Sequence, residues 1–241
     1  MNIAELINVS HSYQGQSAIK NISLGFQENK TTAIIGKSGS GKSTLLQFFN
    51  GLIRPASGSV NIFGEPLNYS QINSLRLHMG YMVQGTGLFP HLSTEQNISI
   101  AGKITNTTTN SVQRVDELMS LVGLPSSYKK KFPYELSGGE QQRVGICRAL
   151  FLNPSILLMD EPLGALDPIT RQEIQTEILK LQQLQPRTIL LVTHDMREAK
   201  KLADYILVID KGEVQQYDTA EEVLQHPANV VVEKLIEASL L

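Results

Sequence analysis

The sequence predicts an α/β fold in which a mainly parallel sheet forms the core and a mostly helical segment is inserted between two parts of it. Residues 32–35 form a short apolar run that ends in a glycine-rich loop, and a helical pattern follows over 42–52. From 156 to 210, strand-like and helix-like segments alternate, which is typical of a parallel sheet. Between these regions, over about residues 88–152, the patterning is mainly helical.

The individual elements follow from hydrophobic periodicity and turn residues. Alternation over 3–9 and a run at 18–26 predict two strands ahead of the glycine loop. In the inserted segment, 106–110 has the composition of a polar linker, and helical spacing over 112–122 predicts a helix. We predict one domain, 1–241, with a helical subdomain at about 88–152. The other predicted elements are strands at 156–160, 188–193 and 205–210 and helices at 168–184, 195–203 and 229–241.

Length and composition exclude several classes of protein. The 241 residues carry a formal net charge of −2 and are 41% hydrophobic, which allows a large core and argues against a free nucleic-acid binder. Cys147 is the only cysteine, so no disulfide forms within the chain. The start lacks a secretory-signal pattern, and no apolar run approaches the roughly 20 residues of a membrane helix. Any work at a membrane is therefore expected from the cytoplasmic side, through a partner.

The glycine-rich loop fits a phosphate-binding pattern at every position. Its glycines let backbone N–H groups converge on an anion, and the following helix presents its positive end. Lys42 is expected at the β- and γ-phosphates and the Ser43 hydroxyl on Mg²⁺. The alternative, a glycine-rich turn before a helix, is disfavoured because strand, loop and helix are all in place. The predicted phosphate-binding residues are Gly36, Lys37, Ser38, Gly39, Ser40, Gly41, Lys42, Ser43 and Thr44.

Two carboxylates close the apolar run at 156–160. In a parallel sheet, strand ends beside a phosphate loop meet the ligand, so Asp160 is expected to bind Mg²⁺. Glu161 is the candidate general base, or the group that orients the attacking water. By itself an Asp-Glu pair after a strand would favour solvated acids at a strand end. The phosphate loop upstream makes the catalytic interpretation the stronger one.

The segment 136–143, Leu-Ser-Gly-Gly-Glu-Gln-Gln-Arg, resembles the signature motif of the ABC (ATP-binding cassette) family. It lies between the phosphate loop and the acidic strand end, in the family's order. Other motifs resemble the family's pieces, and their joint order is decisive because each alone has a simpler structural explanation. They are Tyr13 for the adenine-stacking aromatic, Gln84 for the Q-loop, Ala165-Leu166-Asp167 for the D-loop and His194 for the switch histidine.

The resemblance implies an ATPase fold with an N-terminal antiparallel β part beside the parallel core. It implies ATP and Mg²⁺ as cofactors, with Glu161 and His194 as catalytic residues and Ser43, Gln84 and Asp160 on the metal. It also implies that two chains pack head-to-tail, each giving its phosphate loop to one ATP and its signature to the other. The signature residues for the partner's ATP are Ser137, Gly138, Gly139 and Glu140, and the D-loop residue is Asp167.

A physical reason supports the signature assignment. Residues 137–139 are expected to begin a helix that runs to Leu150, so their N–H groups and the Ser137 hydroxyl form a second anion site. Gln84 is followed by Gly85-Thr86-Gly87, a glycine-rich sequence that favours a mobile loop. The apolar residues just after it are expected either to help dock a membrane subunit or to pack inside the helical subdomain.

Three function classes remain to be compared. A nucleic-acid-associated ATPase of the repair or translation type is disfavoured, because the chain has one cassette and no sustained heptads. A pseudoenzyme is disfavoured because Lys42, Asp160, Glu161 and His194 are all present. The third class, a transport motor, implies a second copy of the chain and transmembrane permease subunits as partners, and indirectly a solute-binding protein, but no nucleic acid. The expected location is the cytoplasmic face of the inner membrane, as a peripheral subunit.

The transported substrate is inferred from resemblance alone. Residues 160–171 and the tail sequence His226-Pro227-Ala228-Asn229 resemble importer ATPases for glycine betaine, choline and related osmoprotectants. The alternatives are amino-acid and sulfonate importers, whose ATPases share the same compact plan. These segments indicate common descent and not substrate recognition, because the ATPase never contacts the transported solute.

Overall fold

A computed structural model describes residues 1–105, 111–164 and 166–239 of the chain. The predicted linker at 106–110, Ala165 and the last two residues of the predicted C-terminal helix lie outside these ranges. Within the described residues, no helix combines the length and the apolar character needed to cross a membrane.

Strands and helices alternate along most of the chain. The strands are β1 (Asn2–Tyr13), β2 (Gln16–Gln27), β3 (Thr31–Ile35), β4 (Ser57–Ile62), β5 (Glu65–Pro66), β6 (Met79–Met82), β7 (Ile156–Asp160), β8 (Thr188–Thr193), β9 (Tyr205–Asp210) and β10 (Glu213–Thr219). The helices are α1 (Lys42–Phe49), α2 (Ile72–Arg76), α3 (Thr94–Ile104), α4 (Ser111–Leu121), α5 (Gly138–Leu150), α6 (Pro168–Leu184), α7 (Met196–Leu202), α8 (Ala220–Gln225) and α9 (Val230–Glu237).

The chain divides into two compact units, residues 1–76 with 187–241 and residues 77–186. In the first unit, β1 pairs antiparallel with both β2 and β4, and β4 pairs with β5. A second set of strands runs in the order β10, β9, β3, β8, with β3 parallel to both of its neighbours. This unit therefore contains both an antiparallel part and a parallel part.

Strand β3 is central to the first unit: it lies between β8 and β9, and all five of its residues are buried. Its last residue, Ile35, is in register with Thr193 of β8 and Val208 of β9. An apolar cluster packs helices α7, α8 and α9 against β3 and β9, and burial of such side chains is the main favourable term in folding. Its buried members are Ala33, Ile35, Met196, Ala199, Ile206, Val208, Val223 and Val232.

The second unit joins a short parallel pair of strands to a group of helices. Strand β6 pairs with β7, with Met79 opposite Ile156 and Met82 opposite Met159. Helix α5 packs against α3, α4 and β6 and buries one face made mainly of small and apolar residues. Cys147 on that face is fully buried and its thiol contacts the Leu118 carbonyl at 3.3 Å, so it is a core residue.

Most elements predicted from periodicity are present with shifts of a few residues. Strands β7, β8 and β9 and helix α6 have the predicted bounds. Within 88–152, the described residues form helices and 3-10 turns and no strand, while the boundary of a subdomain there stays a prediction. Elements that the sequence did not predict include β4, β6, β10 and α3.

The missed strand β10 shows why the pattern failed there. It is a polar strand that pairs with β9, and none of its residues is buried, so its sequence lacks the alternation of apolar and polar residues that marks a half-buried strand. The preceding turn, Lys211-Gly212, has positive φ at both residues, 49° and 78°, as a tight hairpin turn requires. The Lys211-Gly212 pair was the feature of the sequence that could have predicted this hairpin.

Candidate active site

The phosphate loop joins the carboxyl end of β3 to the first turn of α1. Gly41 lies at the N-cap of α1 with φ 107°, and no side chain caps the helix. The first turn of α1 also lacks an acidic residue. The N–H groups at this helix start are therefore not used by a capping side chain, and the helix dipole favours an anion there.

Glycine is required in the loop because neighbouring backbone lies against it. A Cβ at Gly36 would lie 2.1 Å from the carbonyl oxygen of Ile209, and one at Gly41 would lie 2.6 Å from that of Ala18. The Ser40 hydroxyl is buried without a hydrogen-bond partner, whereas the Ser40 carbonyl accepts from Gly212 N–H at 3.0 Å. Bare backbone and an unpaired buried hydroxyl fit a loop that receives phosphate oxygens.

Lys42 lies inside this loop and not on its surface. Its side chain is 6% exposed, and Nζ donates to the carbonyl oxygens of Gly36 at 2.8 Å and Lys37 at 2.9 Å. These two bonds hold the ammonium at the centre of the loop backbone. A cation placed there suits a polyphosphate chain.

Tyr13 lies at the end of β1, next to the start of α1. Its hydroxyl is 3.4 Å from the Thr44 hydroxyl, and its ring meets the His11 ring edge-to-face at 4.7 Å. The side chain remains 44% exposed. An exposed aromatic face held on one side is suited to stacking against a flat ring.

His194 follows β8 directly and is exposed. Since Thr193 is opposite Ile35, His194 and the phosphate loop leave neighbouring parallel strands at the same edge. Buried contacts fix the turn that carries His194: the Thr193 hydroxyl donates to Glu198 at 2.6 Å and accepts from Asp195 N–H at 3.1 Å. Neither Thr193 nor Glu198 was singled out from the sequence.

In the second unit, the ends of β6 and β7 bring Gln84 and Glu161 together. Gln84 Nε2 donates to Glu161 Oε2 at 3.4 Å. Asp160, the last residue of β7, is 5% exposed. Glu161 has φ 47°, a left-handed conformation that costs a non-glycine residue about 1 kcal/mol or more and that occurs often at functional sites.

The chain just after Glu161 is held by the signature helix. Gln142, which is 5% exposed, donates from Nε2 to the Pro162 carbonyl oxygen. This contact ties α5 to the segment that carries the two acidic residues. Sequence reasoning had assigned Gln142 only to the signature pattern.

The start of α5 is a capping box formed by two signature residues. Ser137 Oγ accepts from Glu140 N–H at 3.3 Å, and Glu140 Oε2 accepts from Ser137 N–H at 2.7 Å. Burial raises the pKa of Glu140, but bonds from Ser137 and Tyr128 and the charge of Lys131 outweigh it and bring the pKa below its usual value. A carboxylate thus occupies part of the anion-attracting helix end that the sequence predicted.

The two glycines of the signature differ in their surroundings. A Cβ at Gly138 would meet no atom within 4 Å, whereas one at Gly139 would lie 2.3 Å from Cγ2 of Thr170. The space beside Gly138 is therefore empty, whereas the absence of a side chain at Gly139 lets Thr170 of α6 pack closely against α5.

Asp167 acts locally as the N-cap of α6. Its Oδ1 accepts from the N–H groups of Ile169 and Thr170, both at 3.1 Å. Hydrogen bonds from Thr170, through its side chain and then its backbone, lower the pKa of Asp167. The carboxylate is therefore ionised where the D-loop meets the helix.

The donor set fits Mg²⁺ held largely by phosphate. No group of three or more His, Cys, Asp or Glu that could hold a metal occurs among the described residues. Mg²⁺ in nucleotide sites usually takes one or two protein oxygens together with phosphates and water. Ser43 in the first unit, and Gln84 and Asp160 in the second, each carry an oxygen of the kind that Mg²⁺ takes, and the ion when bound would neutralise charge on the phosphates.

The comparison with family models identifies the chain. The model described as ABC transporter matches residues 19–164, more than half of the sequence. The chain belongs to the ABC transporter family. It is the ATP-binding cassette of that family, and it binds and hydrolyses ATP.

Curated relatives match nearly the whole cassette. The glycine betaine uptake system ATP-binding protein of Escherichia coli is 43% identical over 98% of this chain and 77% of its own length. The glycine betaine/carnitine/choline transport ATP-binding protein of Bacillus subtilis is 44% identical over 96% of this chain, which spans 62% of that relative. The choline transport ATP-binding protein of the same organism is 43% identical, and the chain spans 61% of it.

Solved structures share the cassette's fold. The ATP-binding cassette MJ0796, a dimer in a post-hydrolysis state bound to ADP and Pi, has a TM-score of 0.83 and 31% identity, covering 90% of this chain and 98% of that one. The cassette cbiO1 of Clostridium perfringens, part of an ABC transporter complex, has a TM-score of 0.85 and 28% identity over all of this chain and 99% of that one. The α/β fold predicted from the sequence is confirmed.

Proposed function

We propose that this cassette powers an importer of glycine betaine, choline or a related compatible solute. The observation that carries the proposal is the identity of 43–44% to uptake ATPases for these solutes over at least 96% of the chain. The amino-acid and sulfonate alternatives have no comparable support. A quaternary amine is expected to bind to aromatic faces of a partner protein, so this chain would supply the energy of ATP hydrolysis and not the recognition of the solute.

The roles of individual residues form part of the proposal. The loop from Gly36 to Thr44 holds the phosphates, with Lys42 as the cation and Tyr13 stacked on the adenine. Glu161 accepts a proton from, or orients, the attacking water, and His194 contacts the γ-phosphate. Ser43, Gln84 and Asp160 hold Mg²⁺. Support comes from the uncapped start of α1, the buried Lys42 and the left-handed Glu161.

We propose that two copies enclose ATP head-to-tail. The start of α5, with Ser137, Gly138 and Gly139, serves the ATP held by the other copy, and Asp167 approaches the same interface. Support comes from a relative of known structure that is a dimer bound to ADP and Pi. In this chain the helix start combines an open Gly138 with the N–H groups of α5.

The remaining partners are transmembrane permease subunits and, through them, a solute-binding protein. The chain then works as a peripheral subunit on the cytoplasmic face of the membrane. Phe89, which is 42% exposed and lies two residues after Gly87, is the candidate permease contact. We propose that residues 88–152 form the helical subdomain that carries this surface and the signature.

Uptake by cells of the source organism tests the function. The genomic copy is replaced by Glu161→Gln, and uptake of radiolabelled betaine, choline, carnitine and an ordinary amino acid is measured. We expect betaine-type uptake alone to be lost. Glu28→Gln, at an exposed residue, is the matched control that keeps uptake. Loss of amino-acid uptake instead would overturn the proposed substrate but not the assignment of the chain as an ATPase.

A further inference from the structure

One face of the signature helix α5 receives the loop of residues 84–87, hereafter the Gln84 loop. Gln141, Gly145 and Arg148 are spaced by four and three residues, so they lie on the same side of the helix. All three contact or approach the Gln84 loop. The helix that begins at the signature motif therefore also holds the loop that carries Gln84.

Arg148 provides the strongest of these contacts. Its NH1 group donates to the Gly87 carbonyl at 2.7 Å, and NH2 donates to the Thr86 carbonyl at 3.2 Å. The guanidinium carbon is also 5.9 Å from the centre of the Phe89 ring. A planar guanidinium that binds two successive carbonyls fixes their orientation as well as their position.

Gln141 and Gly145 complete the contact. Gln141 Oε1 accepts from the Thr86 hydroxyl at 3.3 Å, while its Nε2 binds the carbonyls of Pro133 and Leu136 at 2.9 and 3.1 Å. A Cβ at Gly145 would lie 3.6 Å from the Thr86 carbonyl oxygen, an ordinary van der Waals distance, so the loop packs directly over this side of α5. The same glutamine thus links the loop to the turn just before the signature.

The loop has little rigidity of its own. Gly85 and Gly87 have φ of 75° and 53°, in the region where glycine is least restricted. Gln84 lies between the end of β6 at Met82 and the held carbonyl of Thr86. The direction of its side chain toward Glu161 is therefore set by contacts at both ends of the loop.

We propose that Arg148 is a positioning residue for hydrolysis, which holds the Thr86–Gly87 backbone so that the Gln84 amide stays within reach of Glu161. The inference rests on the proposed role of Gln84 in hydrolysis. It adds a residue that touches neither nucleotide nor metal and acts through the loop alone.

A double-mutant cycle in the full-length protein tests this role. ATPase rates are measured for Arg148→Met, for Gln84→Ala and for the double variant. We expect Arg148→Met to lower kcat about tenfold, with KM for ATP changed less than about twofold, because the phosphate-binding loop is untouched. We expect the double variant to be no slower than Gln84→Ala, since Arg148 acts only through Gln84.

Arg114→Met is the matched control. Arg114 also binds two successive carbonyls, those of Leu150 and Phe151 at 3.1 and 3.3 Å, but at the far end of α5 from the signature. Its loss is expected to lower thermal stability while kcat stays within about twofold of wild type. Hydrogen exchange gives a readout independent of activity: amides of residues 84–89 should exchange about tenfold faster in Arg148→Met and unchanged in Arg114→Met.

The outcomes separate two kinds of failure. If Gln84→Ala keeps the wild-type kcat, the proposed role of Gln84 fails and the inference fails with it. If Gln84→Ala is slow but the losses in the cycle simply add, or exchange in residues 84–89 is unchanged, only the role of Arg148 is overturned.

Discussion

The side-chain amide of Gln84 donates to the carboxylate of Glu161, with 3.4 Å between Nε2 and Oε2. The contact arises because β6 and β7 are parallel and in register at Met82 and Met159, so both side chains follow the same edge of the pair. The residue proposed to bind Mg²⁺ and the candidate base are thereby close to each other in the second unit. Changes at either residue are expected to affect turnover more than binding.

Replacement of the base is the first prediction. Glu161→Gln should keep ATP binding within about threefold of wild type and lower turnover by at least about a hundredfold. The amide has the same shape but does not take a proton from water. Gel filtration with ATP should show the variant as a stable dimer. Turnover at the wild-type rate would mean that the base lies elsewhere in the protein.

Removal of the loop cation should act on binding instead. Lys42→Ala should weaken ATP binding at least about tenfold, because the charge at the β- and γ-phosphates is lost. It should also lower the melting temperature without nucleotide, since Lys42 Nζ bonds the carbonyls of Gly36 and Lys37. Fluorescent-nucleotide titration and calorimetry measure the two effects. Lys20→Ala, which breaks an exposed ion pair with Glu213, should change neither; equal losses in both variants would contradict the role of Lys42.

Backbone crowding predicts the effect of a single methyl group at Gly36. Gly36→Ala would place Cβ 2.1 Å from the backbone oxygen of Ile209, which rotation of a side chain does not relieve. We expect a loss of about 1–3 kcal/mol in the free energy of unfolding, together with weaker ATP binding. Gly138→Ala, where the added Cβ meets open space, should keep wild-type stability in the same urea titration. Equal stability of both variants would show that the loop shifts freely.

Glu177 predicts a specific pH dependence of stability. Burial raises its pKa to about 7, an effect that Arg143 opposes and Glu173 reinforces. The folded chain therefore keeps this proton up to about pH 7, whereas the unfolded chain releases it near the usual pKa of 4.5. Protonation favours the folded state, so the free energy of unfolding contributed by Glu177 falls as the pH rises from about 4.5 to about 7.

Comparison of Glu177→Gln with wild type isolates this contribution. Between about pH 5 and about pH 8 the variant should gain stability relative to wild type, on the order of 1 kcal/mol, because the nearby Arg143 guanidinium offsets part of the effect of burial. Urea unfolding at several pH values measures the difference. The same substitution at exposed Glu28 should leave the pH profile of wild type unchanged. Parallel curves for wild type and Glu177→Gln would contradict the prediction.

Local sequence determined the catalytic framework of this protein. The phosphate loop, the acidic strand end and the signature are each continuous in sequence, and each depends on local backbone chemistry: glycine at tight positions, a strand before a loop, and a cap before a helix. Hydrophobic periodicity is also local, and β7, β8, β9 and α6 accordingly have the predicted bounds. Family membership followed from the order of these motifs.

The tertiary structure alone decided which side chains support them. Arg148 holds the Gln84 loop from 61 residues away in the sequence, and Thr193 is fixed by a buried Glu198 that no periodicity distinguishes. The glycines at 85 and 87 favoured a mobile loop, yet its carbonyls are bound by a guanidinium on another element. Local sequence patterns determine the conformation of a segment, and so they can be read from the sequence. Side chains that are distant in sequence come into contact only when packing brings their elements together, and so these contacts are known only from the tertiary structure.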